Sequence, residues 1–533
     1  MDWHEGYVSD IDYVAEFFPE QSPSLLSFAC ILNGVEPVAL DRPFTYFELG
    51  SGQGLTANVL AAANPLGRFY AADFNPAHIA ASRQLAESAE LANVEFLDSS
   101  FADLADGAVS LPQFDFVTLH GVYSWVNAEN RRHIVRFLAR YLKPGGIAYI
   151  SYNAMPGWST TLPLQRLILE HVDLYPGSRH QQIEHMRKLV GGLVQNNAAY
   201  FANNAGAGLR TYLDAAMTGD ADWSSYLAHE YMNRGWEPLY HADVVRDVAA
   251  AKLDYVGSAG LSWALPALYL TPAQSALLDT IADPALRETI KDYMKNTCFR
   301  KDVFVRGARR MGPERQRQWQ EQCGIALTVL PEQLHAGLKF PAQGANPPAA
   351  YAPLLAALGQ EPRTLLELAR LPAMASHTLA EIAEAAALLA DTGQAAPYFL
   401  GAAGADTSPA RRLNLAIAGQ ARGGEAAYRV FAAPLLGSGI KAPLFQRLVY
   451  RAVLPAVAAQ ALPLNVDAIA TQVWRQVVEQ GRAVVRDELE LDSEDEIISG
   501  IWATVQAILE RRSPLWRGLL MLPPPLHTEE CEQ

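Results

Sequence analysis

The chain has 533 residues, a length that calls for two to four domains, and half of them are apolar and 19% charged, a composition that excludes disorder. Its 57 Asp and Glu outnumber its 42 Lys and Arg, and the net charge of −15 argues against non-specific nucleic-acid binding, which needs a basic face. The first residues, MDWHEGY, lack the basic start and apolar run of a signal peptide, and no stretch of about 18 uncharged apolar residues is long enough to span a membrane.

Residues 22–33 read as a helix opened by a Ser cap and a Pro at its first position. Residues 44–49 (FTYFEL) read as a strand that runs into Gly50-Ser51-Gly52-Gln53-Gly54, and 55–64 as the helix that follows. Strands at 68–74 and 94–97 flank a helix at 77–91. Residues 114–120 (FDFVTLH) are apolar enough for a strand buried on both faces. A helix at 130–142 carries Ile134, Phe137, Leu138, Tyr141 and Leu142 near a 3.6 period; Lys143-Pro144-Gly145-Gly146 ends it, and 147–152 forms a fifth strand. This alternation predicts a parallel α/β sheet.

Residues 162–217 look helical throughout, so 159–225 is expected to be a helical insertion, after which a helix at 243–251 and a strand at 253–256 return to the sheet. A Pro/Gly/Ala stretch at 341–353 marks a boundary. Helices at 351–358, 364–371 and 378–389 and a strand at 398–400 fit a small winged-helix-like unit. Residues 341–400 hold two Lys/Arg against five Asp/Glu, which favours packing or protein contact over DNA. The acidic run 487–496 reads as a solvated face. The expected divisions are 1–43, 44–158, 159–225, 226–310, 311–400 and 401–533, the last mainly helical. Four scattered cysteines, Cys30, Cys298, Cys323 and Cys531, show no metal-ligand spacing and fit reduced thiols in a cytoplasmic protein.

The glycine run lies between a strand and a helix, the context in which such a motif gains weight. A dinucleotide fingerprint wants Gly or Ala at position 55, where this chain has Leu55. The spacing suits S-adenosylmethionine (SAM), which has no pyrophosphate to seat on the helix. Glu48, Gly50, Ser51, Gly52 and Gly54 are therefore cofactor candidates. Asp73 follows Gly54 by 19 residues, where a carboxylate can accept both ribose hydroxyls, although it could merely cap the turn before Pro76. Phe74 joins it. At the third strand, Asp98 resembles a carboxylate that reaches an adenine amino group, but counting from Val94 favours Ser100 and Phe101. The fourth strand delivers His120 and Gly121 to the switch point of the sheet.

Several segments together resemble the class I SAM methyltransferases that carry a methyltransferase regulatory domain. They are Gly6-Tyr7-Val8-Ser9-Asp10, the run from Glu48 to Gly54, Ser100-Phe101-Ala102-Asp103-Leu104, the run from His120 to Trp125, and the run from Tyr152 to Trp158. His229-Glu230-Tyr231-Met232-Asn233 and NTCFRKDVFV at 296–305 resemble segments of the regulatory domain itself. The chain has Ser51 where Cys is frequent in the family and Asp73 where many class I enzymes have Glu. The family includes bacterial lysine methyltransferases that modify outer-membrane proteins. The resemblance implies a Rossmann-like core, SAM as cofactor with Tyr7 in its site, and a protein lysine acceptor. Tyr123, Trp125, Tyr152 and Trp158 are the expected aromatic lining of the acceptor channel, with His120 and Asn153 as polar contacts. Asn153-Ala154-Met155-Pro156 is not the Asn/Asp-Pro-Pro-aromatic signature of nucleic-acid amino methyltransferases. A small-molecule N-, O- or C-methyltransferase, and a SAM-binding assembly protein without turnover, are the alternatives. Residues 311–533 are expected to present the protein substrate or, alternatively, to stabilise the core or a homodimer.

Overall fold

The computed structural model describes residues 15–203, 231–335, 338, 345–359, 361–401, 406–420, 428–459, 464–480 and 494–523. Tyr7, residues 204–225 of the expected insertion, the acidic run up to residue 493, and residues 341–344 of the boundary stretch lie outside them.

Seven strands form one sheet in the order β3-β2-β1-β4-β5-β7-β6. They are β1 (Phe44–Leu49), β2 (Gly67–Asp73), β3 (Val94–Asp98), β4 (Phe114–Leu119), β5 (Leu142–Asn153), β6 (Leu253–Ser258) and β7 (Phe299–Arg306). Neighbouring strands β1 to β5 pair in parallel, whereas β7 is antiparallel to both β5 and β6. Crossover helices α2 (Leu55–Ala63), α3 (Pro76–Ser88), α4 (Phe101–Asp106) and α5 (Ala128–Tyr141) connect the first five strands, with α1 (Pro23–Leu32) ahead of them. Asn75 caps α3 and Asn127 caps α5, each side-chain oxygen accepting a first-turn amide.

Lys143-Pro144-Gly145-Gly146 does not end the fifth helix as expected. It is a bulge inside β5: Phe114 pairs with Leu142 and Phe116 with Ile147, so the extra residues loop out and Gly145 takes φ +80°.

Alternation along each strand divides the core. Tyr46, Phe69, Phe116, Ile147 and Tyr149 point to the face covered by α1 and the unit at 311–400. Phe47, Phe114, Val117, Ala148, Ile150 and Phe304 point to the other face, under α5 and the helix His241–Ala249. In the 311–400 unit, an antiparallel sheet of β8 (Cys323–Leu327), β9 (Arg363–Thr364) and β10 (Ala395–Phe399) accompanies helices Tyr351–Leu358, Leu365–Ala369 and Leu379–Asp391. Beyond residue 405, Leu413, Ile417, Phe431 and Ile440 pack on Leu55, Val59, Ala62 and Ala63 of α2. The described residues beyond 310 thus share cores with the sheet and with α2 and α3.

The insertion begins as α6 (Leu162–Leu174), α7 (Arg179–Gln195) and α8 (Ala199–Asn203), with a small core of its own in which Leu164, Ile168, Ile183 and Met186 meet Tyr231 and Met232.

Candidate active site

The carboxyl ends of β1, β2 and β4 and the amino ends of α4 and α5 enclose a cleft. Glu48, Gly50, Ser51, Gly52, Gly54, Asp73, Phe74, Ser100, Phe101, His120, Gly121 and Trp125 all line it. Asp98 is exposed and lies off the wall; Ser99 to Ala102 face the cleft instead.

Two glycines of the loop do different work. Gly52 holds φ +51°, and a Cβ there would meet nothing within 4 Å, so its backbone borders the open space. A Cβ on Gly54 would lie 2.3 Å from Ser82 Oγ and 2.8 Å from Phe96, so Gly54 lets α2 close against α3 and β3.

Asp73 is 8% exposed. Its Oδ2 accepts the Gly52 amide at 2.8 Å and its Oδ1 the Asn75 amide at 2.9 Å. The turn-capping role is therefore real, and through Gly52 the same carboxylate fixes the glycine loop. A carboxylate has about four lone-pair sites, so two accepted amides leave capacity for two hydroxyl donors.

Glu48 is 3% exposed; Oε1 accepts from Gln21 Nε2 at 2.9 Å, while Oε2 has no partner. Burial, reinforced by the nearby Asp73 carboxylate, pushes its carboxyl up to about 8. The cleft therefore holds a neutral acid at physiological pH that a cation would ionise.

His120 stacks on Phe18 with ring centroids 3.8 Å apart, and its Nδ1 lies 2.8 Å from the buried Tyr149 hydroxyl. Burial pushes the imidazole down to about 4, so it is neutral at physiological pH.

Four of the expected channel residues lie elsewhere. Tyr123 is fully buried in the core beneath α5 and donates its hydroxyl to Asp247 at 3.2 Å. Tyr152 is also fully buried, and its hydroxyl donates to Asp302 at 2.6 Å. There it joins His241 and Arg300, which also pairs with Asp292 and Glu288. Asn153 is buried; its amide donates to Ser124 Oγ and its carbonyl accepts from the Leu239 amide. Trp158 packs on Tyr231 and Trp236 and donates Nε1–H to the Cys298 carbonyl at 2.7 Å. Sequence proximity to the mouth placed them there; strand alternation and the returning chain turned them inward.

Sequence reasoning missed the segment before α1. Phe18 and Gln21 line the cleft, Phe18 with its amide on Thr56 Oγ1 at 3.2 Å. It also missed Asn127, Asn130 and Gly235 opposite Trp125. Segment 15–21 shows no motif, and Gly235 lies far along the chain, so composition gave no signal. Among the described residues none beyond 310 lines the cleft.

The partnerless Glu48 Oε2 and Ser51 Oγ, and the open space beside Gly52 and Gly121, give a cationic nucleoside ligand both polar partners and room. The donor set fits SAM.

Residues 47–148 match the family described as a methyltransferase domain, and residues 224–306 match the predicted methyltransferase regulatory domain. The protein sll1526 of Synechocystis is 32% identical over 520 residues, covering 97% of this chain and 99% of its own. RP028 of Rickettsia prowazekii is 27% identical over 228 residues, covering 42% of this chain and 86% of its own. PKMT2 from Rickettsia typhi, solved in complex with AdoHcy, superposes with a TM-score of 0.67 at 18% identity, covering 94% of this chain and 99% of that one. Glycine loop, strand order and full-length kinship agree: this chain belongs to the class I SAM-dependent methyltransferases that carry a methyltransferase regulatory domain.

Proposed function

We propose that the enzyme N-methylates lysine side chains of a protein substrate. One observation carries the reading: the cleft is lined by three acidic side chains, Glu16, Glu48 and Asp73, of which Glu48 ionises beside a bound cation, and by no lysine or arginine among the described residues. Such a wall favours cations, which both SAM and an incoming ammonium are. Further support comes from the segments that resemble bacterial lysine methyltransferases and from the full-length architecture shared with PKMT2.

SAM supplies an electrophilic methyl group. In this reading Asp73 takes the ribose hydroxyls, Glu48 and the glycine-loop backbone face the amino-acid portion, and Ser99 to Phe101 flank the adenine. The Ser100 hydroxyl and backbone amide are both engaged in the capping box of α4 with Asp103, so Ser100 flanks the adenine as part of the wall. A lysine enters with an unperturbed pKa near 10.4, and desolvation between Phe18 and Trp125 favours the neutral amine that reacts. His120, uncharged, bounds the cleft without repelling the ammonium that arrives. The chain's main contribution is alignment and exclusion of water.

The test compares the proteomes of the host with and without this protein by mass spectrometry. Lysine peptides that lose a methyl mass increment without it support the reading. An unchanged lysine-methyl profile, with a methylated small molecule missing instead, overturns it.

A further inference from the structure

Chain segment 231–237, from the regulatory domain, crosses the loop that leads from β4 to α5. Asn233 is fully buried, yet both ends of its carboxamide are used on cleft-lining residues. Its Nδ2 donates to the Trp125 carbonyl at 2.9 Å, and its Oδ1 accepts the Gly235 amide at 2.9 Å. The same crossing is pinned by the Glu237 amide on the Ser124 carbonyl at 2.8 Å and by Arg131, which binds both the Glu237 carboxylate and the Val126 carbonyl. Gly235 approaches so closely that a Cβ on it would sit 3.3 Å from the Trp125 carbonyl oxygen and 3.4 Å from the Asn127 amide nitrogen.

We infer that Asn233 is a positioning residue for the methyl acceptor: by holding Trp125 and Gly235 against each other it sets the width of the cleft on the α5 side. The regulatory-domain segment thereby acts on acceptor selection. A carboxamide suits the place because the site demands one donor and one acceptor at fixed points. Aspartate offers acceptors only, so it would set an oxygen against the Trp125 carbonyl, and alanine would strand both backbone groups. The cofactor half of the cleft, at Gly52, Asp73 and Ser100, has no contact with Asn233 among its hydrogen bonds.

This rests on the reading that the cleft accepts a protein amine. The experiment measures SAM affinity by calorimetry, and kcat and acceptor KM for a methyl-accepting host protein fraction, in the wild type, Asn233→Asp and Gly235→Ala. Expected in both variants is a rise of about tenfold in acceptor KM, because small misplacements of a positioning wall cost that much, with SAM affinity unchanged. Gly235→Ala removes no hydrogen bond, so it keeps the test alive if Asn233→Asp fails to fold. Equal acceptor KM in folded variants, or parallel loss of SAM affinity, overturns the inference. Absence of protein methylation by the wild type would instead overturn the lysine reading on which it rests.

Discussion

Replacing Glu48 with glutamine should remove a proton that the wild type releases when SAM binds. The Glu48 carboxyl is buried and titrates near 8, so at pH 7 about nine-tenths of the free protein carries its proton. A cationic ligand beside the carboxyl favours the ionised form, so binding should expel about 0.9 proton at pH 7 and about 0.1 at pH 9. Affinity should therefore strengthen by close to tenfold per pH unit on the acid side of 8 and level off above it. The assay is titration calorimetry in phosphate and in Tris, where the dependence of the heat on buffer ionisation counts protons. The sign for stability is opposite to that of an ordinary paired carboxylate. The folded chain keeps a proton that the unfolded chain has lost, so this contribution is complete below about 4.5 and is lost as pH rises through 8. Glu48→Gln, which cannot ionise, should flatten both dependences. Equal heats in the two buffers for the wild type, or the same proton count in the variant, would show that Glu48 does not release a proton when the cation binds.

Asp73→Ala should weaken SAM binding on the order of a hundred-fold, the worth of two charge-assisted hydrogen bonds, and Asp73→Asn by less because one acceptor for the Gly52 amide remains. Calorimetry that returns wild-type affinity for the alanine variant removes Asp73 from the site. Gly52→Val should abolish binding, since its side chain would project into the open cleft from a backbone at φ +51°. Wild-type affinity there means that this loop is not the cofactor loop. Arg300→Met should cost about 3–5 kcal/mol in urea unfolding, because it leaves Asp292, Asp302 and Glu288 as buried carboxylates without their common partner. A ΔΔG near zero would show that the cluster is not held by that arginine.

The core of the fold was legible because it is written locally. Apolar runs such as FTYFEL and FDFVTLH, each followed by a turn and a helix, define parallel crossovers, and the strand-glycine-helix context locates the glycine-loop end of the cleft. Strand β7 (FRKDVFVR) was not read as a strand, because its charged residues hide the pattern; Arg300 and Asp302 are charged yet buried, neutralising each other under the helix Pro284–Lys295. The wall of the cleft at Phe18, Trp125 and Gly235 was less legible still. Tyr123 and Tyr152 have the right chemistry and the wrong direction, which depends on how the chain leaves β4 and on partners at Asp247 and Asp302 that are more than a hundred residues away. Phe18 and Gly235 reach the cleft from opposite ends of the N-terminal half, so only the folded chain brings them together.

The most direct measurement follows a labelled methyl group from SAM through purified enzyme into protein, then hydrolyses the protein to amino acids. Label is expected in Nε-methylated lysine and absent with Gly52→Val. Label in another amino acid, or lysine labelling that survives Gly52→Val, would contradict that expectation.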